Sequence, residues 1–407
     1  MKFLPIIYLV YMFISLYFLS FFLILYFNNR KNLFNHPLAK KHYSISVLVP
    51  AYNEENTIEE TINSIFEIDY PIEEVIAIND GSTDRTKEII EKLLKKYPKL
   101  KLLDKKNSGK GGSLNRGIKM AKGELVVVVD ADSYPAKDSF KKMVGYFDDE
   151  KVGAATCVIV PRNKENLLEK MQFIEYNIIA FTRKLLEYVD GVYVTPGPLA
   201  MYRKTVLEKV GGFDEKNLTE DIELTWRIIH AGYERKMCLS TYVTTTAPNK
   251  WKAWYRQRRR WAVGGNQCMA KYKKEFLKKG TLGTFILPFF IFNFFIGLGG
   301  MGIYLYLLLT NLISNYLFLV YSISSNVPVL TMNNLYITPS FLNYLGIILF
   351  VVGFAFTLMT LSVMKATVLK KQKIRDILFF SIFYLIIYPV ITISSVYNYF
   401  KRDNRWR

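Results

Sequence analysis

Apolar positions fall into three regimes along this chain. From Phe3 to Phe27 the run is free of charge, long enough to cross a hydrocarbon core of ~30 Å at ~20 residues per span. No small-residue cleavage site follows before Asn28-Asn29-Arg30-Lys31, so the run reads as an anchor and not as a removable signal. From about residue 44 to 248, short β-branched runs alternate with charged segments whose apolar residues recur at helical spacing. Strands are expected at Ser44–Pro50, Glu74–Asp80, Leu100–Leu103 and Glu124–Asp130, and helices at Asn56–Ile68, Thr83–Leu94 and Gly111–Ala121. This alternation predicts an α/β domain built on a mostly parallel sheet with helices on both faces. Leu167–Val189 and Trp251–Phe276 mix aromatic and apolar residues with Lys and Arg, the pattern of helices lying in a membrane interface. After 281 the chain is apolar again, with spanning candidates at Phe285–Thr310, Leu345–Val363 and Ile377–Ser395. The division is therefore an anchor at 1–30, a domain at 44–248, an interfacial segment at 249–280 and a membrane region at 281–400.

Charge sharpens this plan. The net charge of +19 invites a nucleic-acid reading, but its distribution argues against one. Lys and Arg crowd beside the apolar runs, at Arg30-Lys31, Lys271 to Lys279, Lys365 to Lys373 and Lys401 to Arg407, where they meet lipid headgroups and orient the chain. The middle domain then faces the cytoplasm of a multi-pass cell-membrane protein. Asn311–Asn343 carries no Lys or Arg and reads as an extracytoplasmic loop. One final span leaves Lys401–Arg407 outside, against the charge rule, so either that tail is an exception or one segment is re-entrant. Cys157, Cys238 and Cys268 form no CxxC pair, and only three His occur, which argues against a disulfide framework and a His-built metal site.

Ligands of such sheets sit beyond the carboxyl ends of the strands, and acidic residues gather there. Pro50-Ala51-Tyr52-Asn53-Glu54-Glu55 follows the first strand. Glu54 can accept hydrogen bonds from a base or ribose, while the same stretch serves equally as a helix start capped by Asn56 or Thr57. Asp80, in Asn79-Asp80-Gly81-Ser82-Thr83-Asp84, is placed to meet a base N–H, with Ser82 or Thr83 capping the next helix. Asp130-Ala131-Asp132 ends an all-Val strand and offers hard oxygen ligands for Mg²⁺ or Mn²⁺ shared with a diphosphate. Asn107 to Gly112 lacks the phosphate-loop pattern of ATPases, though Lys110 can reach a phosphate or the donor sugar. Thr219-Glu220-Asp221 opens a helix with Thr219 as its expected cap, and Asp221 is a candidate general base. Gln257-Arg258-Arg259-Arg260-Trp261 joins cations for a leaving phosphate to an aromatic face for a sugar.

With these clusters in this order, the chain resembles the family 2 inverting glycosyltransferases, and within them the processive membrane synthases of poly-N-acetylglucosamine, hyaluronan, chitin and cellulose. The matching motifs are Asp80 in NDGSTD, Asp130 and Asp132 as DxD, Asp221 in TED, and Gln257, Arg260 and Trp261 as QxxRW, over about residues 44 to 266. LTEDIELTW followed by QRRRWAVGG looks most like the poly-N-acetylglucosamine synthases. The resemblance implies a glycosyltransferase A-type, Rossmann-like domain. Ala51, Tyr52, Glu54, Asp80, Lys110 and Asp130 would hold the nucleotide sugar, Asp132 the metal, and Asp221 would be the base. Gln257, Arg260 and Trp261 would hold the diphosphate and acceptor, with Gly197 and Arg203 near the acceptor. The implied partners are a UDP-sugar donor, a polysaccharide or glycolipid acceptor and membrane lipids. The short C-terminal membrane region implies a narrow channel or an accessory membrane subunit. Two other functions compete: single addition of sugar to a lipid-linked acceptor, which would not need QxxRW, and an inactive scaffold, which the intact carboxylates disfavour.

Overall fold

A computed structural model describes residues 4–325, 341–368 and 373–401. The strands are β1 (Ile45–Ala51), β2 (Glu74–Asp80), β3 (Leu100–Lys105), β4 (Leu125–Val128), β5 (Ser133–Pro135), β6 (Val152–Pro161), β7 (Ala200–Arg203) and β8 (Glu234–Thr245). Around them run α1 (Leu4–Asn29), α2 (Ile58–Phe66), α3 (Thr86–Leu94), α4 (Gly109–Met120), α5 (Ser139–Met143), α6 (Leu167–Glu187) and α7 (Lys204–Val210). The remaining helices are α8 (Glu220–His230), α9 (Trp251–Tyr272), α10 (Leu287–Ser324), α11 (Phe341–Val368) and α12 (Ile374–Phe400).

One 8-stranded sheet has the order β3-β2-β1-β4-β7-β6-β8-β5. β1 lies parallel to β2 and β4, and β2 parallel to β3. β1, β2 and β4 are apolar nearly throughout because both faces are covered, whereas the edge strand β3 carries Lys101, Asp104 and Lys105. Val47, Val49, Val75, Ala77 and Val127 enter one core, and Leu48, Ile76, Ile78, Val126 and Val128 enter the other. The expectation of a mostly parallel sheet holds, since β6 also runs parallel to β8, and the exceptions lie at β7 and β5. β7 runs antiparallel to β4 and β6, and β5 antiparallel to β8. After β6 the chain passes through α6 and re-enters the sheet from the opposite end, so Ala200 pairs with Val128 and Arg203 with Leu125. That reversal decides which β7 residues reach the ligand edge.

The expected helix starts also shift. Thr57 and Thr219 precede α2 and α8 without a side-chain capping bond. α3 begins at Thr86, and Asp84, not Ser82 or Thr83, receives the Thr86 amide at 3.0 Å on Oδ1.

Among the described residues, four helices are long and apolar enough to cross a membrane: Pro5–Asn29, Leu282–Ser324, Tyr344–Met364 and Ile374–Phe400. The first and the last two match the expected spans. The second corrects one, because the helix does not stop at Thr310. Residues 311–324 contain no Gly or Pro to break it, so α10 runs for 38 residues, about 57 Å at ~1.5 Å per residue. The rest of the expected loop, at 326–340, lies outside the described residues, as do parts of the basic stretches at 369–372 and 402–407. α6 stands between the sheet and these apolar helices, and α9 packs between α8 and α12. α6 packs Phe173, Phe181 and Leu185 with Val158 and Val160 of β6 and Met364 of α11. Through Leu168, Met171 and Ile174 it joins Trp254 of α9 and Phe380 and Tyr384 of α12.

Candidate active site

The parallel half of the sheet delivers its acidic residues to one edge. Asp80 closes β2 and is buried, with its Oδ1 accepting from the Lys105 ammonium and from the Ser108 amide at 2.9 Å. Lys105 was not foreseen, although its position at the end of the neighbouring strand, opposite Asp80, is where a partner would stand. Ala51 ends β1 in the core. Glu54 follows in the turn, its amide donating to Thr86 Oγ1 at 2.8 Å and its carboxylate accepting from Thr57 at 3.0 Å. Tyr52 lies half-buried between them.

Lys110 is the hub. Its ammonium lies 2.5 Å from Asp130 Oδ1 and 3.2 Å from Glu220 Oε1, tying the end of β4 to the start of α8. Burial works against the charged amine, but the carboxylates of Asp130, Glu220 and Asp221 outweigh it and hold the ammonium above its usual range. Gly197 explains how the chain passes so closely: a Cβ there would fall 2.5 Å from Lys110 Nζ and 2.9 Å from both Asp130 oxygens. Because β7 starts at this edge and runs away from it, Gly197 joins the cluster and Arg203 does not. Arg203 instead donates to the carbonyls of Phe147 at 2.7 Å and Asp149 at 3.0 Å, at the far end of the sheet. The expectation that it lies near the acceptor is corrected accordingly.

Two carboxyls are pushed toward neutrality. Burial, then the adjacent Asp130 carboxylate, raises Asp132 to about 6. Burial, then Glu220, raises Asp221 to about 6, against the opposing pull of Lys110 and Arg260. Among the described residues no cluster of three or more His, Cys, Asp or Glu gathers as a complete metal cage. Asp130 and Asp132 nevertheless suit a hard divalent ion that takes its other ligands from phosphate and water. Their crowding, which leaves Asp132 short of compensating charge, is what such an ion would relieve.

α9 holds the loop before Asp221. Arg260 donates to the Leu218 carbonyl at 2.9 Å, and Gln267 accepts from the Leu218 amide at 3.0 Å. Gly264 lies so close that a Cβ would sit 2.1 Å from the Thr219 hydroxyl. Gln257 accepts from Arg258 at 2.5 Å, and the Arg258 guanidinium lies 4.2 Å from the centre of the Trp261 ring. The importance of Arg258 was missed, though Trp254, Arg258 and Trp261 share one helical face by spacing alone. Also unforeseen is Arg183 of α6, a buried guanidinium in the field of Asp221 whose Nε meets no hydrogen-bond partner among the described residues.

The model of glycosyl transferase family 2 matches residues 46–211. The probable glycosyltransferase YdaM of Bacillus subtilis (strain 168) is 30% identical over 386 residues, covering 89% of this chain and 85% of that protein. A poly-beta-1,6-N-acetyl-D-glucosamine synthase of Staphylococcus epidermidis is 33% identical over 274 residues, 65% of this chain and 66% of the synthase. A solved mannosyltransferase from Pyrobaculum calidifontis, in complex with GDP-Man and Mn2+, shares the fold. Its TM-score is 0.62 at 20% identity, over 98% of this chain and 99% of that one.

Proposed function

The chain belongs to glycosyl transferase family 2, and from that premise we propose that it extends a β-linked polysaccharide from a UDP-sugar at the cytoplasmic face of the cell membrane. UDP-N-acetylglucosamine is the first choice of donor, by similarity to the staphylococcal synthase. The observation that carries the reading is the Lys110 bridge between Asp130 and Glu220, which draws the donor side and the base side into one cluster. Ala51, Tyr52, Glu54 and Asp80 line the nucleotide edge. Asp221 accepts the proton of the acceptor hydroxyl as that oxygen attacks the anomeric carbon opposite the leaving group. A new glycosidic bond forms, the bond from that carbon to the diphosphate oxygen breaks, UDP leaves, and the configuration inverts. Lys110 and Arg260 supply positive charge beside the developing diphosphate. Mg²⁺ or Mn²⁺, held by Asp132 with Asp130, would offset further negative charge there. Gly197 keeps the approach to Lys110 and Asp130 open. Processive extension with export is supported by α9, whose Gln257–Trp261 segment adjoins both the Asp221 loop and the apolar helices.

The test is transfer by the purified full chain in detergent with a panel of UDP-sugars, following UDP release and product length. Long products from UDP-N-acetylglucosamine, lost on chelation and restored by Mn²⁺, are expected. Single additions that appear only with a lipid acceptor would replace polymer synthesis by glycolipid assembly.

A further inference from the structure

The proposed chemistry leaves a buried charge cluster unused. Glu175 of α6 and Arg258 of α9 are 3% and 2% exposed. Arg258 Nε donates to Glu175 Oε1 at 3.0 Å, and its Nη2 donates to Oε2. The same carboxylate accepts from two hydroxyls of α12, Tyr384 at 2.9 Å and Tyr388 at 2.5 Å. These tyrosines stand one turn apart on one helix face, aimed out of an apolar helix at a carboxylate carried by another element. The guanidinium reaches the other way as well, donating to Gln257 at 2.5 Å and lying 4.2 Å from the centre of the Trp261 ring.

A buried ion pair of this kind seldom stabilises a fold more than apolar packing of the same volume would. What it supplies, once every donor and acceptor is met, is a single orientation. We propose that Glu175 is a positioning residue. It holds Arg258 against Trp261, and Tyr384 and Tyr388 hold Glu175, so the apolar helix α12 sets the orientation of the Gln257–Trp261 segment. The proposal rests on the reading that this segment serves the site. In a protein that moves its product across a membrane, the same latch lets a shift of α12 reach the site within three side-chain contacts.

The test uses the full chain in detergent, with Tyr384→Phe/Tyr388→Phe, Glu175→Gln and the three changes combined. The tyrosine variant deletes two hydroxyls and leaves the Glu175–Arg258 pair in place. Expected are faster amide exchange confined to residues 255–265 without ligand, and a kcat for UDP-N-acetylglucosamine lower by about tenfold. Donor KM should stay within about twofold, the melting temperature should fall modestly because a buried carboxylate loses two donors, and the combined variant should be no slower than Glu175→Gln alone. Unchanged exchange in α9 overturns the proposal without reference to any donor. Failure of the tyrosine variant to fold, or additive losses, also overturns it by assigning the hydroxyls to stability alone. Trp261→Ala is run in parallel: full activity there sinks the site reading, whereas an inactive Trp261→Ala beside normal tyrosine variants sinks only the latch.

Discussion

Glu220 and Asp221 are neighbours with different work. Glu220 is committed to Lys110 at 3.2 Å, whereas Asp221 is raised from 3.8 to about 6 by burial and by Glu220. If it is the base, transfer rises with pH through about 6 as its carboxylate form fills, an ascending limb a pH–rate profile would display. The same shift makes Asp221 a cost to the fold. Its folded value lies above its unfolded one, so stability falls as pH rises between about 4 and about 6, by up to about 3 kcal/mol, and stays lower above that window. Asp221→Asn should therefore lose about 10²–10⁴-fold in kcat while keeping donor affinity and gaining melting temperature at pH 7. A melting temperature that drops together with donor affinity would make Asp221 a structural residue.

At the level of elements, the legible parts were those whose physics is local. β1, β2 and β4 announced themselves because both faces are buried, and the residues just past their carboxyl ends followed from strand direction. β7 was hidden: it is four residues long, and its reversed direction comes from its partners and not from its own sequence. Hence Gly197 and Arg203, close in sequence, part to opposite ends of the sheet. The Asp80–Lys105 pairing required knowing that β3 lies beside β2, and the Glu175 cluster joins residues more than 200 positions apart. Helix contact can also be tested directly. Gly264→Ala places a methyl 2.1 Å from Thr219 Oγ1 and 2.8 Å from its Cβ, which α9 can accommodate only by pushing the Asp221 loop away, a strain of about 1–3 kcal/mol. Transfer should fall at least tenfold and recover in part with Thr219→Gly, which removes every atom in the way. No recovery would mean that α9 affects the site by another route.

At the scale of the whole molecule, the proposed orientation makes a prediction from the basic flanks and the apolar helices. If the charge rule holds, Lys274 beside α9 would face the cytoplasm and Ser324 at the end of α10 would face outward. Lys274→Cys should resist a membrane-impermeant maleimide in intact cells until they are permeabilised, and Ser324→Cys should react at once; the reverse pattern would invert the orientation. The Glu175 cluster adds an order in time. Tyr384 and Tyr388 are made about 130 residues after Arg258, which at ~5–20 residues per second is roughly 6–25 s later. During that interval the nascent chain carries its whole sheet, its DxD and its α9, yet the carboxylate that steadies Arg258 lacks two of its donors. If the latch acts as proposed, a ribosome-bound chain would transfer sugar about tenfold more slowly than the finished one, and full activity would wait until α12 has packed against α6 and α9.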